Sequence, residues 1–285
     1  MKVLLSAGTY YHLFHGRSKF SETAYALQVG PCQGTCSFCS QSAFNQADKM
    51  YLSRIKWYPV ELEEAAPKIS REYKRFCLQT VIKSGFVEEA IQMLKMVETN
   101  GKSVTITPVH RKDLMEIKAT GVDYIGVGLD STEDCWDIAR KPYPFARYMD
   151  FLREAIEVFG RRRVYAHLIY GICDNDRTFA ELMEKLYEMG VEVALFAFTP
   201  VKGTPLEKRS RPDLRKYRRM QELRWLLAKG YRLDKIMNSD FGLEVRTGQS
   251  AHFTSGCPMC DRPFYNEDPL GDIYNIPFKG RANWS

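Results

Sequence analysis

Three of the eight cysteines lie within eight residues, in the segment Cys32-Gln-Gly-Thr-Cys36-Ser-Phe-Cys39. Iron–sulfur clusters are held by cysteine thiolates. Three thiolates on one short loop hold three irons of a cubane and leave the fourth open to a chelating substrate. A zinc ribbon would pair Cys36 and Cys39 with the distant Cys257 and Cys260, far beyond the usual spacing, and would leave Cys32 over. A thioredoxin-like redox motif accounts for Cys36 and Cys39 alone. The second tight pair, Cys257-Pro-Met-Cys260, is a weaker signal, because a small zinc site or a redox-labile pair has the same spacing. Cys77, Cys135 and Cys173 are isolated, and Cys135 reads as packing.

Such a loop must be positioned by something rigid. Short apolar runs at 25–29, 75–81, 103–106, 124–127, 164–170, 193–198 and 236–238 read as strands. They alternate with helical spacing over 87–98, 111–119, 145–159, 179–189 and 214–227. Glycines 101, 121, 160, 190 and 230 stand where helices should end. Strand–helix alternation of this kind predicts a parallel sheet, and this many units predict a single-domain (β/α)8 TIM-type barrel. The barrel spans 25–265, with its eighth strand near 263–265, an amino-terminal extension over 1–24 and a carboxyl-terminal tail over 266–285. The triad follows the first strand directly, so it lies at the carboxyl-terminal face, where barrel active sites sit.

The hydrophobic fraction of 45% is ordinary for a globular chain. No apolar run is long enough to span a membrane, and the amino terminus lacks the apolar core of a signal peptide. A cytoplasmic location is expected, where clustered cysteines are metal ligands or catalytic groups rather than disulfides. Net charge is +6, from 41 Lys and Arg against 35 Asp and Glu. The excess concentrates between 202 and 232, as a solvated helix face or as a docking surface for an acidic partner.

C-x3-C-x2-C with Phe38 before the last cysteine resembles the radical S-adenosylmethionine (SAM) signature. Further along, Cys39-Ser-Gln-Ser-Ala, Arg75-Phe-Cys77, Leu129-Asp-Ser-Thr and Val201-Lys-Gly-Thr-Pro-Leu are similar to biotin synthase and occur in the same order. The resemblance implies a [4Fe–4S] cluster on Cys32, Cys36 and Cys39 that cleaves SAM. It also implies that Asp130 binds SAM, although Asp-Ser-Thr is equally a helix-capping signature, and Arg147 is a candidate for SAM's carboxylate.

The family's second cluster, the sulfur donor, uses three cysteines and an arginine. Cys77 matches the first cysteine and Arg246 loosely matches the arginine. The other two cysteine positions fall near Thr105 and His167, so the family's ligand set is incomplete. Cys77 with Cys257 and Cys260 is therefore expected to hold a different auxiliary cluster, with Arg246, His252 or Ser255 among the choices for a fourth ligand. His167 points inward if Tyr165 and Ile169 do. Other ligands on such a barrel resemble the two-protein lipoyl synthases, sulfur-inserting transferases of lipoate biosynthesis. That resemblance implies an octanoyl-lysine substrate on an acidic lipoyl domain or H-protein, a possible second radical SAM subunit, and an electron donor such as ferredoxin or flavodoxin. A membrane or nucleic-acid partner is not expected. A biotin synthase-like enzyme acting on a free small molecule and a non-sulfur enzyme of the same subfamily are the alternatives.

Overall fold

The computed structural model describes residues 1–173, 175–238, 249–268 and 270–277. The chain opens with β1 (Lys2–Ser6), α1 (Ala7–His15) and β2 (Thr23–Gln28). A hairpin, β3 (Tyr51–Leu52) and β4 (Ile55–Glu61), leads to α2 (Leu62–Glu72). Strand–helix units follow: β5 (Arg75–Gln79) with α3 (Phe86–Met96), β6 (Gly101–Ile106) with α4 (Arg111–Ala119), and β7 (Val122–Asp130) with α5 (Trp136–Ala139) and α6 (Phe145–Phe159). After them come β8 (Val164–Tyr170) with α7 (Asp176–Met189), then β9 (Glu192–Ala197) with α8 (Leu214–Ala228) and α9 (Leu233–Asn238).

Among the described residues these strands form one nine-stranded sheet in the order β3-β4-β1-β2-β5-β6-β7-β8-β9. β2 and β5 through β9 pair in parallel, while β1 pairs antiparallel with β2 and β4. The sheet curls with helices outside, so the barrel-type α/β class expected from the alternation stands. The strand count differs, since six parallel strands are joined by three antiparallel ones. The first 24 residues are no extension, because Val3 and Leu5 pack under the helices while Leu4 faces the barrel interior, the period-two alternation of a half-buried strand. The run 236–238 lies in α9, where Leu233 and Ile236 pack three residues apart against the outer core. Gly101 opens β6 rather than capping a helix, whereas Gly160 and Gly190 cap α6 and α7.

The eighth strand, expected at 263–265, is a turn within a strap that closes the open side of the curl. Ser255 Oγ accepts a hydrogen bond from Leu195 N (2.8 Å), and Asn266 Nδ2 donates to Ala197 O (2.9 Å), both on β9. On the opposite edge Ser53 Oγ, at the β3–β4 tip, donates to Tyr265 O (2.8 Å). Asn266, Glu267 and Asn275, expected in an irregular tail, are buried in this strap.

The basic stretch divides in two. Arg209 Nε donates to Gly171 O (2.9 Å) and Arg218 donates to the carbonyls of Ile273 and Tyr274, so these cations serve the fold. Lys208, Arg215, Lys216 and Arg219 remain exposed. No helix among the described residues is long and apolar enough to cross a membrane.

Candidate metal centre and its cavities

Alternation along the parallel strands decides which side chains reach the barrel interior. Tyr25 on β2, Cys77 on β5 and Ser103 on β6 stand in register and line a cavity of 740 Å³. A second cavity of 220 Å³ lies at the carboxyl ends of the strands, lined by Cys32, Cys36, Cys39, Asp130 and Lys141. Gln79, Thr105, His167, Phe196 and Tyr265 line both.

The first-loop cysteines are held by backbone from three directions. Cys32 N donates to Gln41 O (3.2 Å), Gln33 N to Ile82 O (2.7 Å) and Ser37 N to Ala139 O (3.0 Å). Thr35 Oγ1 donates to Arg140 O (2.8 Å). Cys32 Sγ in turn accepts from the amides of Gly34 (3.4 Å) and Ile82 (3.3 Å), the N–H···S contacts that tune cluster sulfurs.

The donor set fits a cluster better than a single ion. Thiolates around one tetrahedral zinc, at about 2.3 Å each, sit about 3.8 Å apart. Among the described residues, only Asp134, Cys135 and Cys173 form a group of three or more whose ligand atoms all lie within 4.8 Å of one another. The Cys32, Cys36 and Cys39 sulfurs therefore stand wider apart than one ion requires. Burial pushes the Cys36 thiol up and the Cys39 thiol to about 12. Without a cation these groups would stay protonated, and a coordinated metal would make them thiolates.

Asp130 ends β7 in left-handed backbone, φ +66°, at a break in register with β8. An aspartate tolerates this conformation better than most residues, and here its carboxylate pairs with Lys141 at 2.5 Å. The side chains are 14% and 5% exposed. Burial opposes the Lys141 charge, but Asp130, Cys36 and Tyr148 outweigh it and hold the ammonium well above its ordinary value. Asp130 caps no helix; Thr132 holds the N-cap position of the following turn, without a side-chain capping bond. Lys141 was not visible as a site residue, because nothing local ties it to a carboxylate eleven positions earlier. Arg147 does not reach the site. Its guanidinium bonds Glu154 Oε1 (2.9 Å) and Val109 O (2.7 Å) on the outer layer, because the first turn of α6 faces α4 rather than the cavity.

The second cysteine set also converges. Cys77 and Cys260 pack in one interior cluster with Tyr25, Leu27 and Trp57. Cys257 and Cys260 sit on a tight turn closed by Cys260 N to Cys257 O (2.9 Å). That turn is anchored to β2 by Thr23 Oγ1 donating to Met259 O (2.8 Å). Tyr25 Oη accepts from the amides of Asp261 (2.9 Å) and Arg262 (3.1 Å) and reaches Cys260 Sγ at 3.9 Å. Burial first, and the neighbouring Cys260 second, push the Cys77 thiol up to about 12 and the Cys257 thiol well above its ordinary value. These thiols also fit metal-bound sulfur. Of the fourth-ligand choices, His252 Nε2 pairs with Glu222 (3.1 Å) and Ser255 Oγ bonds β9. Arg246 lies outside the described residues.

Thr105 and His167, which stand where the family resemblance called for cysteines, meet across Gly126. A Cβ there would come within 2.9 Å of both Thr105 Oγ1 and His167 Nε2. His167 points inward as expected, packs against Phe196 with the rings tilted by 57°, and is held neutral, its value lowered to about 3 by burial and then by Arg262 and Lys141. Cys135 and Cys173, isolated in sequence, form a disulfide between the loops after β7 and β8, with Cα atoms 6.1 Å apart. The β7 and β8 registers bring those loops together.

The family model for the radical SAM superfamily matches residues 30–186, more than half of the chain. Among curated proteins, the chain is similar to biotin synthase from Coxiella burnetii, 24% identical over 196 residues that cover 65% of this chain and 59% of that protein. It is also similar to biotin synthase from Persephonella marina, 26% identical over 190 residues, covering 62% and 54%. The matched region thus spans less than two thirds of either relative. Among solved structures, methylornithine synthase shares the fold with a TM-score of 0.57 at 15% identity, covering 76% of this chain and 65% of that one.

Proposed function

The chain belongs to the radical SAM superfamily, and from that premise we propose that it inserts sulfur at an aliphatic carbon of an octanoyl-lysine on an acidic carrier domain, as a lipoyl synthase component. The observation that carries this reading is the convergence of Cys77, Cys257 and Cys260 on the wall of the larger cavity. A sulfur-inserting enzyme needs a sulfur source beside the carbon it activates, and one buried and two half-buried thiols on a common cavity wall fit an auxiliary cluster in that role. When bound, the two clusters supply the electron that cleaves SAM and the sulfur that is transferred, which suits a C–H bond that acid–base chemistry does not break at useful rates.

The chain's own residues bind and orient. Lys141 and Asp130 present an ammonium and a carboxylate side by side, a match for a zwitterionic cofactor. Thr23 and Tyr25 hold the Cys257–Cys260 turn against β2. Phe196 and Tyr265, which line both cavities beside Gln79, Thr105 and His167, place aromatic surface between the two cysteine sets and help exclude water from a reactive radical. The exposed Lys208, Arg215, Lys216 and Arg219 follow β9 at the carboxyl-terminal end of the strands, the end of Cys32, Cys36 and Cys39, and suit an acidic electron-transfer partner. A ferredoxin or flavodoxin as electron donor and a second radical SAM subunit complete the proposal.

The similarity to biotin synthases favours a second reading, in which the substrate is a free small molecule. Mass spectrometry after anaerobic incubation with SAM and reductant separates the two. A gain of one or two sulfurs on an octanoyl-lysyl peptide supports the carrier reading. Sulfur on dethiobiotin and none on the peptide replaces it with the second. SAM cleavage without sulfur on either substrate overturns sulfur insertion.

A further inference from the structure

The larger cavity does not end at the cysteines. From Cys77, Cys257 and Cys260 its wall continues along Tyr25, Ile55 and Trp57 to Ser6, Gly8 and the loop 17–21, which precedes β2. That is the amino-terminal end of the parallel strands, opposite the end that carries Cys32, Cys36 and Cys39. Three aromatic residues of this end stand exposed, Tyr11 at 40%, Phe20 at 52% and Phe264 at 42%. Exposed aromatics grouped at the rim of a cavity mark a binding surface more often than chance. Inside, Trp57 is 2% exposed and its Nε1 donates to nothing, a buried polar group left without an acceptor.

The two ends differ in chemistry. The carboxyl-terminal cavity is small and carries the Asp130–Lys141 charge pair, which suits a polar cofactor and not an alkyl chain. The other cavity has more than three times the volume, a mostly apolar wall toward its mouth with an unused donor in Trp57, and the second cysteine set at its depth beside Arg75, Ser103 and Arg262, of which Ser103 Oγ and two Arg262 nitrogens also lack hydrogen-bond partners. We propose that the substrate's acyl chain enters through this amino-terminal mouth and lies along Trp57 toward Cys77, Cys257 and Cys260, while SAM occupies the opposite end. The proposal rests on the acyl-carrier reading above and deepens it. It assigns each reactant its own entrance, so the carrier docks on the face of α1 and the loop 17–21. The carbonyl of the acyl-lysine supplies the acceptor that Trp57 lacks.

Gly8 gives a clean test. It lies in the first turn of α1 on the cavity wall, its φ is not left-handed, and a Cβ built there meets nothing within 4 Å. Gly8→Trp therefore adds bulk to open space without backbone strain. A second variant, Phe20→Glu, puts charge on the apolar rim at a position already exposed. A dye-labelled octanoyl-lysyl peptide is titrated into the cluster-loaded protein and followed by fluorescence anisotropy, with the unacylated peptide as reference. Met115→Trp, on the exposed face of α4 and outside the cavity, serves as control.

The expected result is at least tenfold weaker octanoyl-peptide binding in both mouth variants and none in the control. Shortening the acyl chain should weaken wild-type binding about fourfold per methylene, or about 0.8 kcal/mol each. Wild-type binding that persists in both mouth variants overturns the mouth and leaves the acyl-carrier reading standing. A wild-type protein that does not distinguish octanoyl from unacylated peptide overturns both.

Discussion

Lys141 and Asp130 form the most enclosed charge pair in the SAM-side cavity, and their geometry makes a sharp demand. Removing one partner of a buried pair leaves the other without compensation, at a cost of about 3–5 kcal/mol. Lys141→Met should therefore weaken SAM binding by more than tenfold, measured by equilibrium dialysis on cluster-loaded protein, with Lys141→Arg recovering part of the loss. Unchanged SAM affinity in the Met variant would make the pair a structural tie between β7 and the loop before α6. Asp130 was singled out from Leu129-Asp-Ser-Thr by the family resemblance, and the structure places its carboxylate on the cavity wall. Its partner was not singled out, since pairing over eleven residues depends on how the loops after β7 fold back. Arg147 failed as a candidate for the same kind of reason. A charge early in a helix says nothing about which face of that helix meets the cavity.

At the scale of elements, α8 and the closing strap explain why a run of basic residues misleads. Arg218 reaches through the outer layer to the carbonyls of Ile273 and Tyr274, and Tyr217 Oη donates to Asn275 Oδ1 (3.0 Å). Each contact satisfies a polar group that burial would otherwise strand, worth about 1–3 kcal/mol when lost. Arg218→Glu should lower the thermal midpoint by several degrees, at about 2–4 °C per kcal/mol for a chain of this size. Arg215→Glu and Arg219→Glu, on exposed positions of the same helix, should leave it within a degree. Equal melting in all three variants would mean that the strap does not depend on α8. Helical spacing over 214–227 identified the element, but only the packed strap shows which of its cations are free to meet a partner.

For the molecule as a whole, a curled sheet brings two cysteine sets into one interior, one at its carboxyl-terminal end and the other at mid-depth. Cys32, Cys36 and Cys39 come from a single loop, whereas Cys77 and the Cys257–Cys260 turn are separated by most of the chain. The two sets should therefore load independently. A C32A/C36A/C39A protein reconstituted anaerobically with iron and sulfide should keep the absorption of one cluster and form no 5′-deoxyadenosine. Adding C257A and C260A should remove the remaining iron. A colourless triple variant would leave the carboxyl-terminal pair without a metal role.

The sequence alone determined what local spacing can carry. Three cysteines on a loop after a strand specify a cluster with an open corner wherever the strand lies. The lengths of 111–119, 145–159 and 164–170 follow from hydrophobic period. Whatever depends on contacts between distant segments was decided only by the tertiary structure. Lys2–Ser6 becomes a strand because β2 and β4 offer it both edges. Residues 263–265 form a turn because side-chain hydrogen bonds of the strap, rather than a further ladder, join β9 to the β3–β4 tip. Thr105 and His167 face one another, Cys135 meets Cys173, and the cavity opens at the amino-terminal end, because parallel register sets neighbours that no sequence interval records. Local order is a property of spacing along the chain, but a site built from six strands is a property of their register.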